Sequence, residues 1–137
     1  MKKVLLYIIF LISLKTSAQQ NPEFKDQDKN QDIECSFKLY KENAHASYYN
    51  NRFNGRRTAS GKKFDNNKLT AAHKKLPFGT KLKVTNPKNN KYVIVEVIDR
   101  GPFVNGREID LTEKAFMDIA SNKGSGVINV QIEIVVN

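Results

Sequence analysis

Residues 91–103 run Lys91-Tyr92-Val93-Ile94-Val95-Glu96-Val97-Ile98-Asp99-Arg100-Gly101-Pro102-Phe103, an alternating stretch stopped by a turn. Val93, Val95 and Val97 recur at every second position, the spacing of one buried strand face. Continued by one step, that period turns Asp99 inward, at the point where Gly101-Pro102 ends the strand. An acid fixed by a strand end and bared by a turn suits proton transfer to a bound substrate. The plainer role for an aspartate before Gly-Pro is to accept from nearby backbone N–H groups.

On either side of this strand the chain reads as further short strands. Thr80–Asn86 alternates with Leu82 and Val84 on one face, and Pro87-Lys88-Asn89-Asn90 closes a hairpin into Lys91–Ile98. Upstream, Ala44–Tyr49 is a strand, 50–61 a polar loop punctuated by glycine, and Leu69–Ala72 a short apolar segment before the Pro77-Phe78-Gly79 turn. Downstream, a short strand at Glu108–Leu111 leads to Thr112, a good helix N-cap. A helix to about Ala120 follows, with Leu111, Ala115, Phe116 and Ile119 at core spacing. Gly124-Ser125-Gly126 ends it, and Val127–Val136 alternates again as the last strand. Five or six short strands and one short helix predict a mainly β protein closed into a compact barrel, which removes exposed strand edges.

The N-terminal part reads differently. Lys2 and Lys3, the apolar stretch Val4–Leu14 and the small residues before Gln19 describe a secretory signal peptide over 1–18. Its core is too short for a stable membrane anchor, and no cysteine follows it to carry lipid. Residues 19–43 are polar enough to form a flexible lead-in, leaving 44–137 as the folded domain. Removing 1–18 takes three lysines and no acid, so 20 basic and 14 acidic residues leave a balance of +6. A basic exported protein is drawn to anionic polymers such as the cell wall. Export, and the lack of a dense Arg/Lys block with interleaved aromatics, argue against nucleic acid. Cys35 is the sole cysteine, so no intrachain disulfide forms, and a catalytic thiol has no nearby histidine to partner it. With only His45, His73 and Cys35 available, no metal-ligand spacing or cofactor motif is present.

Several fragments recur in order: Ala46-Ser47-Tyr48-Tyr49, Gly55-Arg56-Arg57-Thr58-Ala59-Ser60-Gly61, Leu69-Thr70-Ala71-Ala72-His73, Leu76-Pro77-Phe78-Gly79-Thr80, Val84-Thr85-Asn86, Asp99-Arg100-Gly101-Pro102-Phe103 and Ile109-Asp110-Leu111. Over roughly Ala44–Val136 this series resembles the RlpA (rare lipoprotein A) family of bacterial cell-wall proteins. The resemblance implies a six-stranded double-psi β-barrel, related to expansin and barwin-like barrels. It also implies a lytic transglycosylase that cleaves between N-acetylmuramic acid and N-acetylglucosamine and leaves a 1,6-anhydro end. Family residues map onto Asp99 and His73 as the catalytic pair and onto Asp65 in the loop.

One central acid is enough for such a reaction. Glycoside hydrolysis uses two carboxylates, whereas here the sugar's own C6 hydroxyl is the nucleophile. Asp99 then gives a proton to the leaving oxygen and takes one from that hydroxyl. To do so it has to hold a proton near neutral pH, and an apolar setting of Val95, Val97 and Phe103 favours the uncharged form. His73 orients Asp99 or bonds a sugar hydroxyl; Arg100, alternating to the other face, is free to reach substrate. Thr58 lines the groove or forms its turn, Asp65 contacts sugar or holds the loop, and Tyr49 and Phe103 stack on sugar rings or pack in the core. Asp110, just before the helix, reads as structural. Two departures from the family stand out. Lys62 occupies the position of a glutamate that members commonly carry, and Glu96 alternates away from Asp99, so it is a poor substitute. The lipid anchor and the C-terminal domain for peptide-stripped glycan, common in the family, have no counterpart in these 137 residues. The expected protein is therefore a cofactor-free, exported monomer, periplasmic or extracellular, that acts on peptidoglycan strands; the alternative is a non-catalytic, expansin-like wall-loosening module.

Overall fold

The computed structural model describes residues 35–137; the expected export segment and residues 19–34 of the expected lead-in lie outside the described residues. Among the described residues six strands form: β1 (Ser36–Tyr48), β2 (Thr70–His73), β3 (Lys81–Asn86), β4 (Lys91–Asp99), β5 (Ile109–Leu111) and β6 (Ile128–Val136). A short helix, α1 (Glu113–Ile119), separates β5 from β6. The strands close into a barrel in the order β1-β5-β2-β4-β3-β6. β1/β5 and β2/β4 run parallel and the other neighbours antiparallel.

Alternation produces the core as read from the sequence. Leu82 and Val84 of β3, Val93, Val95 and Val97 of β4, and Val130 and Ile132 of β6 are all buried. Phe116 and Ile119 of α1 complete the core, and the Phe116 ring lies 4.7 Å from that of Tyr48. Burying a side chain of Phe116's size contributes about 1.5–3 kcal/mol. Seven residues are too few for a helix to persist alone in water, so α1 depends on this packing and on its ends. At its start, Thr112 Oγ1 accepts from Ala115 N–H and Asn66 Oδ1 from Glu113 N–H. At its end, Asn86 and Asn89 donate from Nδ2 to the Ile119 carbonyl at 2.8 and 3.0 Å. Two carboxamides thus satisfy one of the carbonyls that a helix end leaves open.

Two features depart from the sequence reading. Residues 36–43, placed by their polarity in the flexible lead-in, are the first part of β1, whose pairing with β6 begins at Ser36↔Val136. Almost all of this arm is exposed, with Phe37 at 40% and Leu39 at 53%, so backbone pairing rather than burial defines it. Phe37 and Leu39 alternate with Lys38, but the face they form stays exposed, and the polar composition around them masks the strand. The second departure is in β4. Ala71 pairs with Val97 and Ala72 with Asp99, so Ile98 is an extra residue, and both Val97 and Ile98 are buried. The period of two stops at this bulge, and Asp99 leaves the core face.

Candidate active site

Asp99 therefore sits half-buried at the end of β4, turned toward a loop instead of the barrel interior. The loop is a small hairpin over residues 55–64, tied by Gly55 N–H to Phe64 O, Phe64 N–H to Arg56 O and Thr58 N–H to Lys62 O. Gly61, at φ +90°, makes the reversal that residues with a Cβ disfavour. Ser60 N–H reaches the Ile98 carbonyl, which docks the hairpin on β4 and brings Ala59 N–H to 2.9 Å from Asp99 Oδ1. Arg100 N–H donates to the same oxygen at 2.9 Å, and the Tyr49 hydroxyl donates to Oδ2 at 2.6 Å. All three contacts use Asp99 as an acceptor. The apolar cover expected from Val95, Val97 and Phe103 is not what meets the carboxyl: the valines face the core, and Phe103 is 84% exposed.

Tyr49 is held at the end of β1, its ring against Phe53 and Phe64 at centroid distances of 5.8 and 4.5 Å. Burial, and next the hydrogen bond to Asp99, push its hydroxyl far above the usual tyrosine pKa. It is therefore a donor at neutral pH. The phenol and the carboxyl share a cleft of about 440 Å³ that Tyr48, Phe103, Arg107 and Asp110 also line.

Asp110, read as structural from the sequence, belongs to this cleft. Its Oδ2 accepts from Arg107 at 3.2 Å, while Oδ1 is buried and lacks a partner among the described residues. Burial raises its pKa above the ordinary carboxylate value; Arg107 opposes the rise and the charge on Asp99 adds to it. Its flanking residues Ile109 and Leu111 are fully buried in β5, so alternation alone shows that Asp110 leaves the core, but not where it goes.

The remaining expected residues are engaged in holding the fold, and of them only Arg100 lines this cleft. His73 is 1% exposed, with both ring nitrogens engaged inside the fold. Nδ1 accepts from Lys75 N–H and Leu76 N–H at 3.1 Å, which leaves Nε2–H to donate to Glu108 at 3.0 Å. Burial lowers its pKa against the opposing pull of Glu108, so the imidazole is neutral at neutral pH. Glu108 also accepts from Lys41 at 2.8 Å; these bonds outweigh its own burial and hold its pKa below the usual value. The imidazole does not line the Asp99 cleft but a separate one with Tyr40, Lys41 and Glu108. Glu108 gives no sequence signal, lying 35 residues from His73.

Arg100 lines the Asp99 cleft, yet its guanidinium is already engaged: it donates to the carbonyls of His73 and Leu76 and lies 3.9 Å over the Phe78 ring. It locks the 73–79 turn and does not reach outward. Asp65 accepts from Asn67 N–H and shapes its own loop. Thr58 bonds Lys62 O and Ser60 Oγ inside the hairpin. Lys62 does not line the cleft; its Nζ binds both carboxylate oxygens of Glu96 at 3.0 and 3.1 Å. Among the described residues no group of three or more His, Cys, Asp or Glu is arranged to hold a metal ion.

A closed six-stranded barrel with mixed parallel and antiparallel neighbours, carrying a cleft with two aspartates at the end of one strand, belongs to the class of double-psi β-barrels. The fold is similar to that of the Streptomyces papain inhibitor (TM-score 0.55, 22% identity, covering 74% of this chain and 100% of that one). It is also similar to the expansin of Clavibacter michiganensis (TM-score 0.53, 23% identity, covering 69% of this chain and 49% of that one). Residues 41–132 match the family described as Lytic transglycolase, and the chain belongs to that family. Curated relatives include the Probable endolytic peptidoglycan transglycosylase RlpA of Synechocystis sp., 53% identical over 90 residues, which cover 66% of this chain and 28% of that protein. The Endolytic peptidoglycan transglycosylase RlpA of Rickettsia felis is 47% identical over 105 residues, covering 74% of this chain and 46% of that protein. The chain thus spans less than half the length of these relatives.

Proposed function

We propose that this chain is a lytic transglycosylase of peptidoglycan, cleaving the bond between N-acetylmuramic acid and N-acetylglucosamine with formation of a 1,6-anhydro end. The observation that carries the reading is the Asp99 carboxyl, fixed by Tyr49, Ala59 and Arg100 in an open cleft on a barrel of the lytic transglycolase family. A carboxyl held by two backbone N–H groups and a buried phenol is oriented before substrate arrives, which is what proton exchange at a fixed reacting atom requires. Asp99 is the central proton-exchanging group. Tyr49 is its positioning residue, and the exposed Phe103 ring offers a sugar-stacking surface at the rim. His73, Arg100, Thr58 and Asp65 support the turn and loops that frame the cleft. The protein acts outside the cytoplasm at the cell wall, as an exported monomer after loss of residues 1–18.

The test is digestion of purified glycan strands, intact and stripped of peptides, with mass spectrometry of the products. Anhydro-sugar ends that appear with the wild-type protein and vanish with Asp99→Asn are the expected result; none from the wild type would refute the reading. The second reading, wall loosening without cleavage, is favoured by one observation: Lys62, at the place of a common family glutamate, is paired with Glu96 and adds no acid to the cleft. Binding to glycan that is unchanged by Asp99→Asn, with no product, would establish it.

A further inference from the structure

The register of the barrel sets two acids side by side. Ala72 of β2 is the partner of Asp99 in β4 on one side and of Asp110 in β5 on the other. The two aspartates are thus two strand spacings apart, across a position that carries only a methyl group, and both line one cleft. Their hydrogen bonding differs. Asp99 accepts on both oxygens, from groups that act there as donors. Asp110 has one oxygen on Arg107 and one buried with no partner among the described residues. A buried carboxylate oxygen without a donor is costly, and a proton on that oxygen lowers the cost by removing its charge.

We infer that Asp110 is a second catalytic carboxyl, which protonates the leaving glycosidic oxygen while Asp99 accepts the proton of the C6 hydroxyl. This rests on the transglycosylase reading and divides between two residues the proton transfers that one acid would otherwise perform in turn. The bond between C1 and the glycosidic oxygen breaks with its electron pair going to oxygen, which takes the Asp110 proton. O6 bonds to C1 to close the anhydro ring, and its proton passes to Asp99. One proton has moved from Asp110 to Asp99, no water is consumed, and exchange with solvent restores both groups. Asp110 keeps 13% of its side chain exposed at the cleft wall, so a turn about its Cα–Cβ bond presents the protonated oxygen to substrate. The raised pKa of Asp110 supports its carrying the proton, and Asp99 is one cause of that rise. Paired titratable groups whose surroundings separate their protonation states divide acid from base roles in this way.

The experiment compares wild type, Asp110→Asn and Asp99→Asn on peptide-stripped glycan strands and on a 2,4-dinitrophenyl glycoside of N-acetylmuramic acid. The aryl group leaves without protonation, so it needs no acid. Asp110→Asn is expected to lose about 100-fold or more on glycan and less than about tenfold on the aryl glycoside. Asp99→Asn is expected to lose activity on both. Thermal unfolding checks the fold of each variant. An Asp110→Asn protein as active as wild type on glycan, or equally impaired on both substrates, would overturn the inference and leave the transglycosylase reading standing. A wild-type protein that forms no anhydro product from either substrate would overturn both.

Discussion

The Tyr49 hydroxyl lies 2.6 Å from Asp99 Oδ2, a bond that joins the end of β1 to the end of β4 across 50 residues of sequence. Among the described residues it is the one side-chain donor on a carboxyl otherwise held by backbone N–H groups. Tyr49→Phe deletes this bond while keeping the ring contacts to Phe53 and Phe64. Hydrogen bonds to charged groups contribute about 1.5–3 kcal/mol, so kcat should fall about 10- to 100-fold if the bond is needed in the transition state. Water entering the open cleft can replace the lost donor, so the melting temperature should fall by less than that figure implies, by a few degrees at most. Product release measured alongside thermal unfolding checks this, and an unchanged rate would remove Tyr49 from the site.

Lys62 and Glu96 form an exposed pair beside the tip of the hairpin that carries Ala59 to Asp99. Exposed pairs contribute about 0.2–1 kcal/mol, so Lys62→Met should barely alter global stability. Lys62→Glu puts like charges at hydrogen-bond distance and should loosen the hairpin, read as faster hydrogen exchange at the Ala59 amide and slower product formation. Adding Glu96→Lys restores the pair with its charges exchanged. Rescue by the double variant is the expected outcome; a double variant worse than Lys62→Glu alone would show that the pair does not hold the loop.

Most of the barrel was legible because its strands bury one face. β3, β4 and β6 each repeat an apolar residue at every second position, and Thr112 marks the start of α1 by its side-chain chemistry. What stayed hidden depends on partners distant in sequence. The arm 36–43 is held by backbone bonds to β6 and has almost no buried side, so its composition resembles a linker. The bulge at Ile98 follows from pairing with β2, and it turned a correct strand into a wrong direction for Asp99. His73 was found by resemblance, but its orientation is set by Glu108, and Asp110 joins the cleft only because β5 closes beside β2. Local pattern specifies elements, whereas the site is assembled by register.

His73 gives a pH signature to the fold. Its folded pKa lies below the 6.5 of the unfolded chain, chiefly through burial and despite Glu108; Arg100 and Lys41 also lower it. Between those two pKa values the unfolded chain binds more protons, so stability rises with pH there. The contribution of His73 is fully present above pH about 6.5 and is lost as pH falls toward the folded pKa. Urea midpoints measured from pH 8 down to 5 should decline in the wild type. His73→Asn keeps an acceptor near Lys75 N–H and Leu76 N–H and loses the titration, so its profile over that range should be flatter although its stability is lower. Parallel profiles for the two proteins would show that His73 is not the source of the slope.

Asn66 links the cleft to the helix. It is 3% exposed; its Nδ2 donates to Asn51 Oδ1 at 2.6 Å, to Glu113 Oε2 at 3.3 Å and to the Tyr49 carbonyl at 3.4 Å. Its Oδ1 accepts from Glu113 N–H at 2.8 Å, the first residue of α1. One carboxamide thus fixes the backbone of Tyr49 and caps the helix whose Phe116 fills the core. Asn66→Ala leaves these groups without partners, and each buried orphan costs about 1–3 kcal/mol, so a loss of about 2 kcal/mol or more is expected in denaturant unfolding. Because Tyr49 is displaced with it, kcat should fall in the same direction as in Tyr49→Phe. Combining the two substitutions separates stability from positioning: in a Tyr49→Phe background Asn66→Ala should still destabilise fully but reduce kcat much less than it does alone. Full additivity of the two effects on kcat would show that Asn66 does not act on the site through Tyr49.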